Sequence, residues 1–139
     1  MLKFGGYINI FISVAHLIGL IWADKMYEVT GIGKEMEELS RVHSSLPYIL
    51  TVFVAILFFI FGLYGLSADN KFRKIPFLKL GIFVIAALYI CRGLGELMVG
   101  TFKGTNSIIE TIYSLFALTI GLLFLIGGLR KWKLTTDIK

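Results

Sequence analysis

The chain has 139 residues, of which 57% are apolar and 17% charged, and a formal net charge of +5. That is too little polar surface to cover a water-soluble domain of this size, so water is not its main solvent. The basic balance reads as membrane anchoring, because no stretch outside the apolar runs is long enough to form the basic folded face that nucleic-acid binding needs.

Charged residues separate four apolar runs, Phe4–Trp22, Pro47–Leu66, Pro76–Leu97 and Ser107–Leu129. Each is close to the roughly 20 residues a helix needs to cross a bilayer core. Runs this long and continuous do not suit barrel strands, and backbone groups in lipid must be paired within the segment. The expected fold is all-α: a polytopic, four-transmembrane-helix bundle filling residues 1–139 as one domain.

The first run could serve as a secretory signal, with Lys3 before it and Ala23 after it. Its length and its Asn9, Ser13 and His16 argue for a retained helix instead. Those three residues are spaced i, i+4, i+7 and share one face, which should point inward. The segment that follows, Asp24 to Leu46, is acidic. Gly31-Ile32-Gly33 marks a turn, and Lys34–His43 reads as a short amphipathic helix with Met36, Leu39 and Val42 on its apolar side. It is expected over the mouth of the bundle, as a lid or as a connector resting on the headgroups.

The second run carries Thr51, Ala55, Phe58, Gly62 and Gly65 along one face, and the fourth carries Glu110, Ser114, Ala117 and Gly121. Small-residue spacings also occur at Ala15/Gly19, Ala87/Cys91/Gly95 and Ala117/Gly121, a pattern that lets helices approach closely. Lys3, the Lys71/Arg73/Lys74/Lys79 cluster and the Arg130/Lys131/Lys133/Lys139 tail lie on one side. The other side holds Lys25, Lys34, Arg41 and Lys103. The positive-inside rule then predicts a multi-pass protein of the cell (inner, cytoplasmic) membrane with both termini cytoplasmic.

The third run holds Arg92 and Glu96, one helical turn apart. Intramembrane ionisable residues are costly and usually functional. One reading is an Arg92–Glu96 pair that closes on itself, with the arginine snorkelling from a position near the outer helix end. The other gathers His16, Arg92, Glu96, Glu110, Tyr48 and Tyr113 from the four helices into an outward-facing polar pocket. There Arg92 would meet an anionic or amphiphilic ligand, and His16 would relay a proton or simply satisfy a local hydrogen bond.

Cys91 is the only cysteine, which excludes an internal disulfide and a thiol relay. With His16 and His43 alone and no ligand spacing, neither a haem nor a metal site is expected, and no phosphate loop or nucleophile elbow is present. No cofactor is anticipated.

Phe61-Gly62-Leu63-Tyr64-Gly65-Leu66-Ser67, Ile75-Pro76-Phe77-Leu78-Lys79 and Tyr89-Ile90-Cys91-Arg92-Gly93-Leu94 together resemble a group of small uncharacterised bacterial four-helix membrane proteins, distantly DoxX-like. The resemblance covers the second and third helices best and singles out His16 and Arg92, without implying an activity.

Three functional classes stay open. The chain could be a non-enzymatic protein that binds a small amphiphile or serves as an accessory subunit in a homo-oligomer or larger membrane complex. It could be a membrane-embedded enzyme at the outer leaflet using His16, Glu96 or Glu110 as acid or base. It could be an oligomeric small transporter, although the two halves show no inverted repeat.

Overall fold

A computed structural model describes residues 1–70, 73, 75–103 and 108–133. They form α1 (Leu2–Gly19), a short 3-10 turn (Leu20–Trp22), α2 (Ala23–Val29), α3 (Gly33–Val42), α4 (Leu46–Ala68), α5 (Leu78–Lys103) and α6 (Ile108–Lys133). There is no strand among the described residues. Four helical spans are long and apolar enough to cross a bilayer: Leu2–Val29, Leu46–Ala68, Leu78–Phe102 and Ile108–Lys133. The chain is therefore a multi-pass all-α membrane protein, and most of its large exposed side chains are the apolar ones that lipid contacts.

Each span differs at its ends from the apolar run that forecast it. α5 begins at Leu78 because Pro76 and Phe77 make a turn, with Phe77 at φ 53° outside the helical region. It then runs on past Leu97 to Lys103, and α6 runs past Leu129 to Lys133. Hydrogen bonding along a helix does not stop where hydrophobicity does. Ser107, the expected first residue of the fourth helix, lies outside the described residues.

The first span does not end at Trp22. There the backbone breaks from helical geometry (φ −126°, ψ 50°), and α2 folds back so that Met26 packs on Gly19, where any side chain would collide. Gly31, at φ 79°, then turns the chain into α3. This helix lies where the amphipathic segment was expected. Its Met36 joins Ala23 and Tyr27 in a small separate core, and the Tyr27 hydroxyl reaches Pro47 O (3.2 Å) and Thr51 Oγ1 (2.9 Å) on α4. The cap is thereby fastened to the start of α4.

The bundle is two close helix pairs, α1 with α4 and α5 with α6, which meet one another over a smaller area. Small residues make each pair tight. A Cβ on Gly6 would lie 2.9 Å from Gly62 O, and one on Gly93 would lie 2.8 Å from Ser114 O. Ser13 Oγ donates to Ala55 O at 2.7 Å, adding a hydrogen bond to the α1–α4 seam. The Ala87/Cys91/Gly95 spacing does not act this way. All three residues face outward, and nothing lies within 4 Å of the position a Gly95 side chain would take.

The two pairs join through a core of Leu2, Ala68, Ile82, Ile85, Ala86, Tyr89, Ala117, Ile120 and Phe124. These residues belong to the half of the bundle that holds Met1 and the end of α6, called here the terminal side. The opposite end, which carries α2 and α3, is the loop side. Gly5 against Phe124, Gly127 against Leu2, and Gly81 against the Tyr64 ring bring the pairs together on the terminal side.

Candidate functional site

At mid-bundle the pairs are linked by one buried hydrogen bond. Tyr89 on α5 donates to Asn9 Oδ1 on α1 at 2.5 Å, while Asn9 Nδ2 donates to Gly5 O at 2.8 Å within its own helix. Phe58 and Phe61 of α4 close around the Tyr89 ring, with centroids 6.3 and 6.1 Å away. Every inter-pair side-chain contact described above lies at or below this layer, on the terminal side.

Above the layer the inward-facing stripes lose their cover. On α6, residues at alternating spacings of three and four run from Phe124 (0% exposed), Ile120 (1%) and Ala117 (5%) to Tyr113 (41%) and then exposed Glu110. On α5 the same face runs from buried Ile85 and Tyr89 to Arg92 and Glu96, whose side chains are 63% and 41% exposed. On α4 it passes from buried Ala68, through half-buried Phe61, Leu57 and Val54, to exposed Leu50. On α1 it passes from buried Leu2, Gly5 and Asn9 to half-buried Ile12 and His16. On α5 and α6 the stripe is core in one half and open in the other, and on α1 and α4 it grades from buried to half-buried, so the pairs cover one another less toward the loop side. The parting leaves a groove over Tyr89 and Phe58, with Asn9 buried beneath them.

Five of the six residues singled out by sequence lie on the upper parts of these stripes, Arg92, Glu96, Glu110 and Tyr113 exposed and His16 half-buried. The sixth, Tyr48, does not. It is exposed beside the α3 cap, where it lines a separate cavity of about 600 Å³ with Asp24, Tyr27, Glu28, Met36 and Ser44.

The described polar contacts in the groove run within each helix pair. Arg92 Nη2 meets Glu96 Oε1 at 3.0 Å, so the self-closing pair forms, and Ser114 Oγ on α6 donates to Glu96 Oε2 at 3.1 Å. Glu96 thus uses both oxygens. Arg92 spends one of its five donors on this bond, and the rest of its fork is available to an acceptor. His16 Nδ1 lies 2.8 Å from Ile12 O, and its ring sits 5.2 Å from that of Phe58. Since a carbonyl can only accept, Nδ1 carries the proton, and Nε2 of the neutral ring is an acceptor.

Arg92 sits nearer the middle of its helix than its apolar run implied. Because α5 continues to Lys103, Arg92 is about 16 Å from the loop-side helix end and about 21 Å from Leu78, close to mid-helix.

Sequence reading did not find the Asn9–Tyr89 link or the aromatic floor. Both were signalled by spacing, since Tyr89 is three residues before Arg92 and Asn9 seven before His16 on the same stripes. Among the described residues, no group of three or more His, Cys, Asp or Glu side chains is arranged to hold a metal ion.

No protein-family model matches the chain, and neither a curated protein nor a solved structure matches it. What the fold defines is a class: a small helical membrane protein with four bilayer-length spans.

Proposed function

We propose that the protein is a non-catalytic membrane binding protein that takes a small amphiphile into the groove between its two helix pairs. The observation that carries this reading is the passage of the α5 and α6 interior stripes from buried to open, opposite half-buried stripes on α1 and α4, with Arg92 at the point of opening. Such a groove offers apolar walls from Leu50, Val54, Leu57 and Phe58. It adds a mid-depth cation already balanced by Glu96, and an acceptor on His16. An anionic or hydrogen-bonding head would pair with the Arg92 fork, and the apolar remainder would replace lipid along α4. Exposed ion pairs contribute little to stability, and ionisable side chains at membrane depth are costly. A ligand-binding role accounts for keeping Arg92 there. With the basic terminal side at the cytoplasmic face of a cell membrane, the groove opens toward the outer leaflet.

The test is photolabelling of the full chain in bilayers with a diazirine fatty acid, read by peptide mapping. Labels are expected on residues 50–61 and 88–99 above the level at Phe11, an outward-facing lipid contact. Arg92→Gln should reduce the groove signal and leave Phe11 unchanged. Uniform labelling that ignores Arg92 would sink the reading. A groove protected from label only when a co-purifying membrane protein is present would favour an accessory-subunit role, with a partner helix as the occupant.

A further inference from the structure

A second site lies at the other end of the bundle. Where the start of α1, the end of α4 and the end of α6 converge, a cavity of about 300 Å³ is lined by Met1, Leu2, Ala68, Asn70, Gly127, Arg130 and Lys131, with Asp69 as the carboxylate in its wall. It straddles the seam between the two helix pairs at the end where they are joined.

Several features give this cavity the chemistry of a phosphate site. Lys131 Nζ donates to Ala68 O, which anchors an ammonium at the carbonyl end of α4. Arg130 beside it is exposed and offers the planar fork that matches phosphate oxygens. Asn70 is held at φ 57° by a turn in which the Asp69 and Asn70 N–H groups bond Leu66 O and Ser67 O at 3.2 and 3.1 Å, and it brings an amide to the wall. Leu2 and Gly127 form an apolar base, so close that a Cβ on Gly127 would meet Leu2 Cγ at 2.8 Å.

Asp69 and the α4 carbonyl end offset part of the positive charge, and Lys131 answers them locally. Arg130 is left as the cation for an external anion. Lys3, Arg73, Lys79 and Lys133 belong to the same end of the bundle and raise the local concentration of anionic lipid.

We propose that this cavity binds the phosphate of an anionic phospholipid headgroup, with Arg130 as the principal contact, so that one lipid ties the α1–α4 pair to the α5–α6 pair. This site is independent of the groove.

The experiment is native mass spectrometry of the delipidated full chain titrated with phosphatidylglycerol, with phosphatidylcholine, and with phosphatidylglycerol in the presence of inorganic phosphate. One equivalent of phosphatidylglycerol is expected to bind at concentrations where phosphatidylcholine does not. Arg130→Gln should weaken it about five-fold, the share of one interfacial basic residue. Should that variant fail to fold, Arg130→Lys carries the test, with a smaller loss from the missing fork. Equal binding of the two lipids, or affinity that ignores both substitutions, would overturn the proposal. Displacement by inorganic phosphate would overturn the lipid assignment and point to a soluble phosphate compound.

Discussion

The Asn9–Tyr89 hydrogen bond is the point at which the architecture can be tested most directly. Asn9 is wholly buried, and its Oδ1 receives the Tyr89 hydroxyl at 2.5 Å while its amide is held by Gly5 O. Tyr89→Phe keeps the ring between Phe58 and Phe61 but strands Oδ1 in a dry layer. Leaving a buried acceptor unpaired costs about 1–3 kcal/mol. Hydrogen bonds between membrane helices average about 0.6 kcal/mol and reach about 1.7. The expected loss is therefore about 1–2 kcal/mol, felt mainly as weaker association of the two helix pairs. Asn9→Leu should cost a similar amount by stranding the Tyr89 hydroxyl. The double variant, with both polar groups gone, should cost clearly less than the sum of the two. Reversible unfolding in mixed detergent micelles, followed by the fluorescence of Trp132 near the terminal-side core, would give all four corners of the cycle. Strict additivity, with Tyr89→Phe close to neutral, would refute the claim that this bond joins the pairs.

Two glycines should respond in opposite ways to alanine. Gly6→Ala places a methyl 2.9 Å from Gly62 O and should cost about 1–3 kcal/mol in thermal stability by forcing α1 from α4, whereas Gly95→Ala meets nothing and should be neutral or slightly stabilising. Tyr27→Phe removes the hydroxyl that fastens the cap, while Thr51 keeps its own bond to Pro47 O at 2.8 Å. Hydrogen exchange should then accelerate across residues 23–42, at a cost of about 0.5–1.5 kcal/mol, with the transmembrane helices unchanged. Faster exchange in the helices as well would show that the cap stabilises the whole bundle.

The membrane class, the four spans and the amphipathic cap were legible in the sequence because each depends on local composition and period. Predominantly apolar runs of bilayer length demand helices whatever they pack against, and the 3.6-residue period places Met36 and Leu39 on one side of α3 without reference to any neighbour. The inward faces were legible for the same reason, since Asn9, Ser13, Thr51, Ala55, Ser114 and Gly121 are all buried as their spacing implied.

What the sequence could not supply was which inward positions are covered. Ile85 and Arg92 lie on one face of α5, as Ala117 and Tyr113 do on α6, and nothing local distinguishes core from groove. Cover is decided by how far the two helix pairs stay together, and that follows from contacts between distant segments: Leu2 with Gly127, Gly5 with Phe124, Tyr64 with Gly81. The outward placement of Ala87, Cys91 and Gly95 and the seat of Tyr48 beside the cap depend on tertiary geometry in the same way. Periodicity determines the direction in which a side chain points, and only packing determines what it meets there.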